Sequence, residues 1–522
     1  MTEGYSFNLL MQPWLPCVRK GEPELLSIRA ALAEAHQLDA VAGASPLETA
    51  SLYRLLLAIL HRVFGPADSE VWANLWQAPS FDMAALDSYL SQWIDHFDLF
   101  STVCPFYQRD EQRVDSKSVI NMLLERASGN NATLFDHSTE ETGATLTPAE
   151  AARALVTIQT FGLGGACHPQ KKLTFTDAPA ASAILFLVEG KSLKETLLLN
   201  MPDYSASDEA PLPTQWYDAP AWELEDPLTP ERDQPHGYLD LLTWQTRSIH
   251  LHPERNATNE IIVRMVTMAP GLRLASTVRD PMKHHWPHPK LGLLPLKFVE
   301  ERLLWRDSTS LLGMRAATID QPLPPAALRS LRLRIQDGAL PTNRIYRVSA
   351  LGMARDQAKV DFFRTERLPL PLAYLETGEM VNQLNSLLEQ SEKVARDAIG
   401  AMRTMAMTLQ LAESDGVHWP QLNSNQKEGI KAWIKHTNAE QIYWTTLDIP
   451  FQQLIVTLPN SVEEAGRVWR QTLREAAESA FAHAARFVPG DARGFKAIVR
   501  GRGLLHYLIS QTLPTEEKEL VP

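Results

Sequence analysis

The chain has 522 residues, of which 44% are hydrophobic and 21% charged, with a formal net charge of −12. This is too long for one core, so two or three domains are expected, and the composition is that of an ordinary globular protein. The three cysteines, Cys17, Cys104 and Cys167, are odd in number and far apart, which excludes a disulfide framework and fits a reducing cytoplasm. The first ten residues lack the basic start and apolar run of a signal peptide, and no stretch of about 18 apolar residues suggests a membrane span.

Residues 1 to about 60 read as a short strand or hairpin followed by helices, with Leu52, Leu55, Leu56, Leu57, Ile59 and Leu60 in an apolar helical run. Met83 to Leu99 reads as a helix, with Leu86, Leu90, Trp93, Ile94 and Phe97 at three- and four-residue steps. Residues 127–147 have no sustained period and read as a long loop. Pro148 to Thr160 returns to helix and stops at Gly162. Ile184 to Gly190 is a buried strand. Residues 202–236, rich in Pro and Asp, read as an extended surface connection. From Ile249 to Leu294 strand-like runs follow, among them Ile261-Ile262-Val263 and Leu272 to Val278. Ile345 to Val348 and Val360 to Phe363 read as a strand pair flanking a loop.

Near Leu370 the composition changes. Four helical segments are expected beyond it. The first carries Val381, Leu384, Leu388, Val394, Ala398, Met402, Met405 and Leu409 on one stripe. The second starts near Ser424 and is bent or interrupted at Pro450. The third opens with the capping pattern Ser461-Val462-Glu463-Glu464, and the fourth runs from Asp491 to about Thr512. Such stripes cannot be buried singly, so the expected fold is α+β: a large mixed α/β domain over residues 1–369, then an all-α antiparallel four-helix bundle over 370–522.

No reaction constellation is visible. The histidines His250, His252, His284, His285 and His288 have no cysteine nearby, so no metal site is expected, and no cofactor. There is no Gly-x-Ser-x-Gly elbow and no phosphate-binding loop with its lysine. Charge is more informative. Between Arg329 and Arg367 nine basic residues face four acids, a local excess of +5, which leaves −17 for the remainder. Such a zone suits nucleic-acid contact over a small footprint, or simply a solvated arginine-rich surface.

Three segments could meet a nucleic acid. Gly162, Gly164 and Gly165 would let a backbone amide approach a phosphate or base edge, with Lys171 and Lys172 close behind. The plain alternative is a helix stop. Gly352 to Ala358 reads as a hairpin tip in the basic zone, with Arg355 to hold phosphate and Gln357 to wedge into the minor groove; the alternative is a solvated polar hairpin. Arg273, on an expected strand, could enter the minor groove, or could be any strand arginine.

An ordered series runs along the chain: Phe7-Asn8-Leu9-Leu10, Pro13-Trp14-Leu15-Pro16, Cys104-Pro105-Phe106-Tyr107-Gln108, Ser128 to His137, Phe161 to Gly165 and Arg355-Asp356-Gln357. This series resembles the large subunit (CasA family) of the type I-E CRISPR surveillance complex, Cascade. The resemblance implies a non-catalytic subunit that recognises the protospacer-adjacent motif in double-stranded DNA, starts strand separation and helps recruit a helicase-nuclease. The family's glycine loop falls on Gly162, Gly164 and Gly165, and its glutamine wedge on Gln357. Its basic finger falls on Arg273, where a lysine is familiar, with Arg264 and Lys283 as alternatives. Asp356 departs from the family's pattern, as does the lack of a cysteine-pair zinc element.

By the same resemblance, Asn131, Thr133, Leu134, Phe135, Asp136 and His137 anchor the chain to the 5′ handle of the CRISPR RNA and a neighbouring subunit. The last helix would offer phosphate contacts through Arg493, Lys496, Arg500 and Arg502. Implied partners are the handle-binding, backbone and small subunits, target DNA and the helicase-nuclease, without a membrane. Two other readings stand beside this one: a guide-RNA scaffold that does not read DNA, and an enzyme of unrecognised type.

Overall fold

The computed structural model describes residues 4–125, 144–204, 211–313, 321–356, 359–411 and 418–513. The chain divides into two compact units. The first comprises Met1–Glu300, Met314–Thr342 and Tyr346–Arg367; the second comprises Glu301–Gly313, Asn343–Ile345 and Leu368–Pro522.

The first unit opens with a hairpin of β1 (Leu15–Arg19) and β2 (Glu22–Leu26). Lys20 and Gly21 connect them at φ of 51° and 81°, a left-handed pair that suits the twist of tightly joined strands. Helix α1 (Ile28–Ala33) leads to β3 (Ala40–Val41), which pairs with the other edge of β1. Helix α2 (Pro46–Phe64) starts with Ser45 as N-cap and proline in its first turn. Its leucines are buried around the whole circumference, so it runs through the core instead of lying on it. Helices α3 (Ser69–Gln77) and α4 (Met83–Gln92) follow. The expected helix over 83–99 leaves the α conformation at Trp93, and Ile94–Phe97 is a 3₁₀ turn.

Next come β4 (Lys117–Ser118), α5 (Pro148–Phe161), the short hairpin β5 (Gly165–His168) and β6 (Leu173–Phe175), then β7 (Leu185–Glu189), α6 (Leu193–Leu199) and α7 (Tyr238–Leu242). The segment before α7 is not the surface connection expected from its composition. Thr214, Asp218 and Trp222 are buried. The Asp218 carboxylate accepts the Leu239 and Asp240 amides, so this acid is internal because it caps α7.

Strands β8 (Arg247–Arg255) and β9 (Ile261–Pro270) pair antiparallel, with β4 on the outer edge of β9. The strand expected over 272–278 does not form. Gly271 and Leu272 give their amides to Thr246 and Gln245, and the chain then turns at Ser276 and Thr277. Strands β10 (His285–His288) and β11 (Gly292–Pro295) make a second small hairpin. After α8 (Ser308–Leu312) and α9 (Ala326–Gln336) come β12 (Ile345–Asp356) and β13 (Lys359–Pro371). These strands are far longer than their sequence suggests. β12 pairs with β7 over Arg347–Leu351 and with β13 on its other edge, and just past the β7 ladder an added Cβ at Gly352 would sit 2.9 Å from the Ala183 carbonyl.

The second unit is helical: α10 (Ala373–Glu376), α11 (Gly378–Gln410), α12 (Ser424–His436), α13 (Ala439–Thr457), α14 (Val462–Ala485) and α15 (Ala492–Thr512). The second expected segment is two helices. The break falls at Asn438, which takes a left-handed φ of 52°, whereas Pro450 sits inside α13 without ending it. Helix α11 packs on α14 and α15, and α13 packs on α14. The core here is aromatic: Trp305 stacks on Phe451 at 4.6 Å and meets Trp469 edge-on at 6.3 Å. The fold class is therefore mixed α and β with a helical C-terminal region.

Candidate nucleic-acid interface

Helix α5 delivers the glycine loop. A capping box of Thr147 and Glu150, with Pro148 in the first turn, fixes its start. Gly162 ends it by giving its amide to the Ile158 carbonyl. A Cβ at Gly162 would lie 2.5 Å from that carbonyl oxygen and 3.0 Å from the Arg247 guanidinium, so glycine is required there by packing. At Gly165 a Cβ would meet nothing within 4 Å. The two glycines thus differ: a side chain at 162 would collide with this chain, whereas at 165, a half-buried position paired with Phe175, it would enter open space.

Arg247, at the start of β8, supports the loop from below. It is buried and donates to the carbonyls of Leu163 and Thr176, each at 2.8 Å. Its guanidinium lies 4.5 Å over the Phe175 ring. Burial lowers its pKa to about 10, against the opposing pull of Asp177, so it stays charged at neutral pH.

Asp177, just beyond β6, joins the loop to the hairpin of β12 and β13. Its Oδ1 accepts the Gly164 amide at 2.8 Å. The same oxygen accepts Arg355 Nη1 at 3.0 Å, while Arg355 Nη2 donates to Oδ2. Arg355 stands near the end of β12, with Gln357 two positions on. Gln357 itself lies outside the described residues. Two segments singled out separately in the sequence, Gly162 to Gly165 and Arg355, are therefore brought together. The expected role of Arg355 needs correction: its guanidinium is engaged by a carboxylate of this chain and is not a bare phosphate clamp.

The remaining candidates divide. Arg273 is exposed and has no ion pair among the described residues, but it stands on an irregular segment and not on a strand. That segment begins at Gly271, whose Cβ position is 2.7 Å from the Arg247 amide nitrogen, so it shares Arg247 with the glycine loop. Of the alternatives, Lys283 is buried, bonded to the Pro179 carbonyl and close to Asp280, and cannot serve as an exposed finger. Arg264 is exposed but paired with Glu254 at 3.0 Å. Lys171 and Lys172 occupy the turn between β5 and β6. Lys171 gives its ammonium to the Arg113 carbonyl at 2.6 Å, and Lys172 is exposed at φ 54°.

On α15, Arg493, expected to offer a phosphate contact, is engaged within the chain. It donates to the Thr408 and Leu411 carbonyls at the C-terminal end of α11. Lys496 and Arg500 have partners within the chain, and Arg502 is exposed. Asn131, Thr133, Leu134, Phe135, Asp136 and His137 lie outside the described residues.

The opening motifs are structural. Trp14 is fully buried and donates to the Leu9 carbonyl at 2.9 Å, while Asn8 ties that turn to the Ile94 carbonyl. Gln108 bonds Leu99 and Leu251 on two sides, and Phe106 stacks on Phe97 and Tyr107. Among the described residues no group of three His, Cys, Asp or Glu is placed to hold a metal, and no helix is long and apolar enough to cross a membrane. Asp177 and Arg247 are the site residues that sequence reading missed. Nothing in their local sequence marks them, since their partners arrive from elsewhere in the chain.

Comparison with known proteins gives a consistent result. The family of CRISPR-associated protein Cse1 matches residues 8–480. The CRISPR-associated protein CasA/Cse1 of Thermus thermophilus is 34% identical over 507 residues, covering 95% of this chain and 96% of that protein. The crystal structure of CasA from the same organism aligns with a TM-score of 0.80 at 28% identity, covering 97% of this chain and all of its own. A chain of a structure described as a CRISPR RNA-guided surveillance complex shares the fold, with a TM-score of 0.75 at 20% identity over 96% of this chain and 99% of that one.

Proposed function

The chain belongs to the CRISPR-associated Cse1/CasA family, and on that premise we propose that it is a non-catalytic subunit of a guide-RNA surveillance complex that recognises a short flanking motif in duplex DNA. One observation carries this reading: the glycine loop, held at the Gly164 amide, and the end of β12 that precedes Gln357 are tied together through Asp177, with open space where a Gly165 side chain would stand. A glycine loop with open space beside a hairpin end lets a duplex approach the backbone closely and offers a side chain to the base stack. Base pairing with the guide reads the target; the protein reads only the motif. The minor groove distinguishes bases poorly, so several related motifs are accepted.

In this scheme Gln357 enters the stack beside the motif, at a cost of about a few kcal/mol for one step, and that opening seeds pairing with the guide. Arg273 supplies the positive charge that the minor groove attracts. Residues 131–137 dock the guide-RNA handle, and the opened complex recruits a separate helicase-nuclease. A fluorescent base analogue beside the motif reports the opening step. Gln357→Ala slows it on duplex targets; equal rates for variant and parent would remove the wedge from the account.

A further inference from the structure

We infer that Asp177 is a positioning residue, whose carboxylate clasps the glycine loop to the end of β12 and so fixes the hairpin end relative to the motif-reading backbone. The inference rests on the motif-reading function proposed above and assigns a role to a residue outside its three reading elements.

The geometry is specific. A carboxylate offers four lone-pair directions. Here one is filled by the Gly164 amide at 2.8 Å, and two more face the fork of Arg355. A fork on a carboxylate fixes angle as well as distance, which a single contact does not. Glycine suits position 164, since a Cβ there would stand 3.0 Å from Asp177 Oδ1 and 3.2 Å from the Phe175 carbonyl and press on the clasp. Arg247 holds the adjoining Leu163 and Thr176 carbonyls from the other side, so the loop end of the clasp is anchored.

Charge points the same way. A bare carboxylate at a surface that meets phosphates would repel them. Paired with Arg355, Asp177 presents no net charge, so the clasp removes a repulsion while it sets a spacing. The Arg355 side chain is 20% exposed and that of Asp177 40%, so the pair contributes little to global stability. Recognition groups need to be held to about 0.5 Å by such supporting contacts. Loss of the clasp therefore impairs opening while leaving the fold intact.

The test uses the assembled complex with Asp177→Ala, Arg355→Ala, the double variant and Gln357→Ala. Two quantities are read: the rate of opening of a duplex target, and affinity for a target already unpaired beside the motif. Asp177→Ala and Arg355→Ala should each slow opening about tenfold, and the double variant should be no slower than either, because one linkage is lost in all three. Affinity for the unpaired target and the melting temperature should stay at parental values. Opening by Asp177→Ala at or above the parental rate overturns the inference, since Asp177 would then restrain an arginine meant for phosphate. Two effects that multiply also overturn it. The underlying reading fails separately: if Gln357→Ala opens DNA normally while Asp177→Ala does not, the wedge is wrong and the clasp stands.

Discussion

His61 and His285 are two buried imidazoles whose environments contribute to the acid response of the first unit. His61 is 1% exposed, packs edge-on against Tyr238 and has no hydrogen-bond partner on either ring nitrogen among the described residues. Burial lowers its pKa to about 3, helped by Arg334. His285 is held at about 3 by burial and then Lys283. In the unfolded chain both titrate near 6.5. The folded state therefore binds fewer protons once the pH drops below that value, and stability is lost as pH falls from about 6.5 toward 3. Each histidine contributes a slope of up to about 1.4 kcal/mol per pH unit. His61→Leu should flatten the curve of urea midpoint against pH over 4–6; an unchanged slope would contradict the assignment. Neither burial was legible in the sequence. His61 sits on an apolar helical run that was, but a histidine there reads equally as a solvated edge. Asp177 was illegible for a related reason: its partners lie 13 and 178 residues away.

Among the elements, those with strong local signals were read well. The stop of α5 at Gly162 and the stripe of α11 from Val381 onward were legible from glycine punctuation and helical period, although at Gly162 it is packing, not a special φ, that demands glycine. The extent of β12 and β13 did not show. Gly352, Asp356 and the arginines around them resemble a loop; β7 pairs with β12 only over Arg347–Leu351, and β13 on its other edge carries the backbone on as strand. Pro450 misled in the other direction, because tertiary packing keeps α13 continuous across it. Helix α15 supplies a test. Arg493 caps the open carbonyls at the end of α11, so Arg493→Ala should lower the stability of the helical unit by about 1 kcal/mol and leave the salt dependence of DNA binding unchanged. A phosphate contact would instead reduce the slope of log affinity against log salt by about one.

Across the whole molecule, charge is paired far more than its sequence implies. The basic run from Arg329 to Arg367 is not one open surface. Arg334 is fully buried against Asp203, while Arg355, Arg364 and Arg367 pair with Asp177, Glu366 and Glu189. An overall charge of −12 with such internal pairing leaves little general attraction for nucleic acid. On the proposed reading, recognition then comes from a small, shaped footprint, to which the glycine loop, the β12 end and Arg273 are assigned. The direct test is duplex binding by the guide-RNA complex assembled with and without this chain, on targets that carry or lack a randomised flanking motif, at one fixed salt concentration. The account predicts motif-selective binding only when the chain is present, with selectivity reduced by Gln357→Ala. Affinity raised equally for every flanking sequence would contradict it and leave a scaffold or nonspecific clamp.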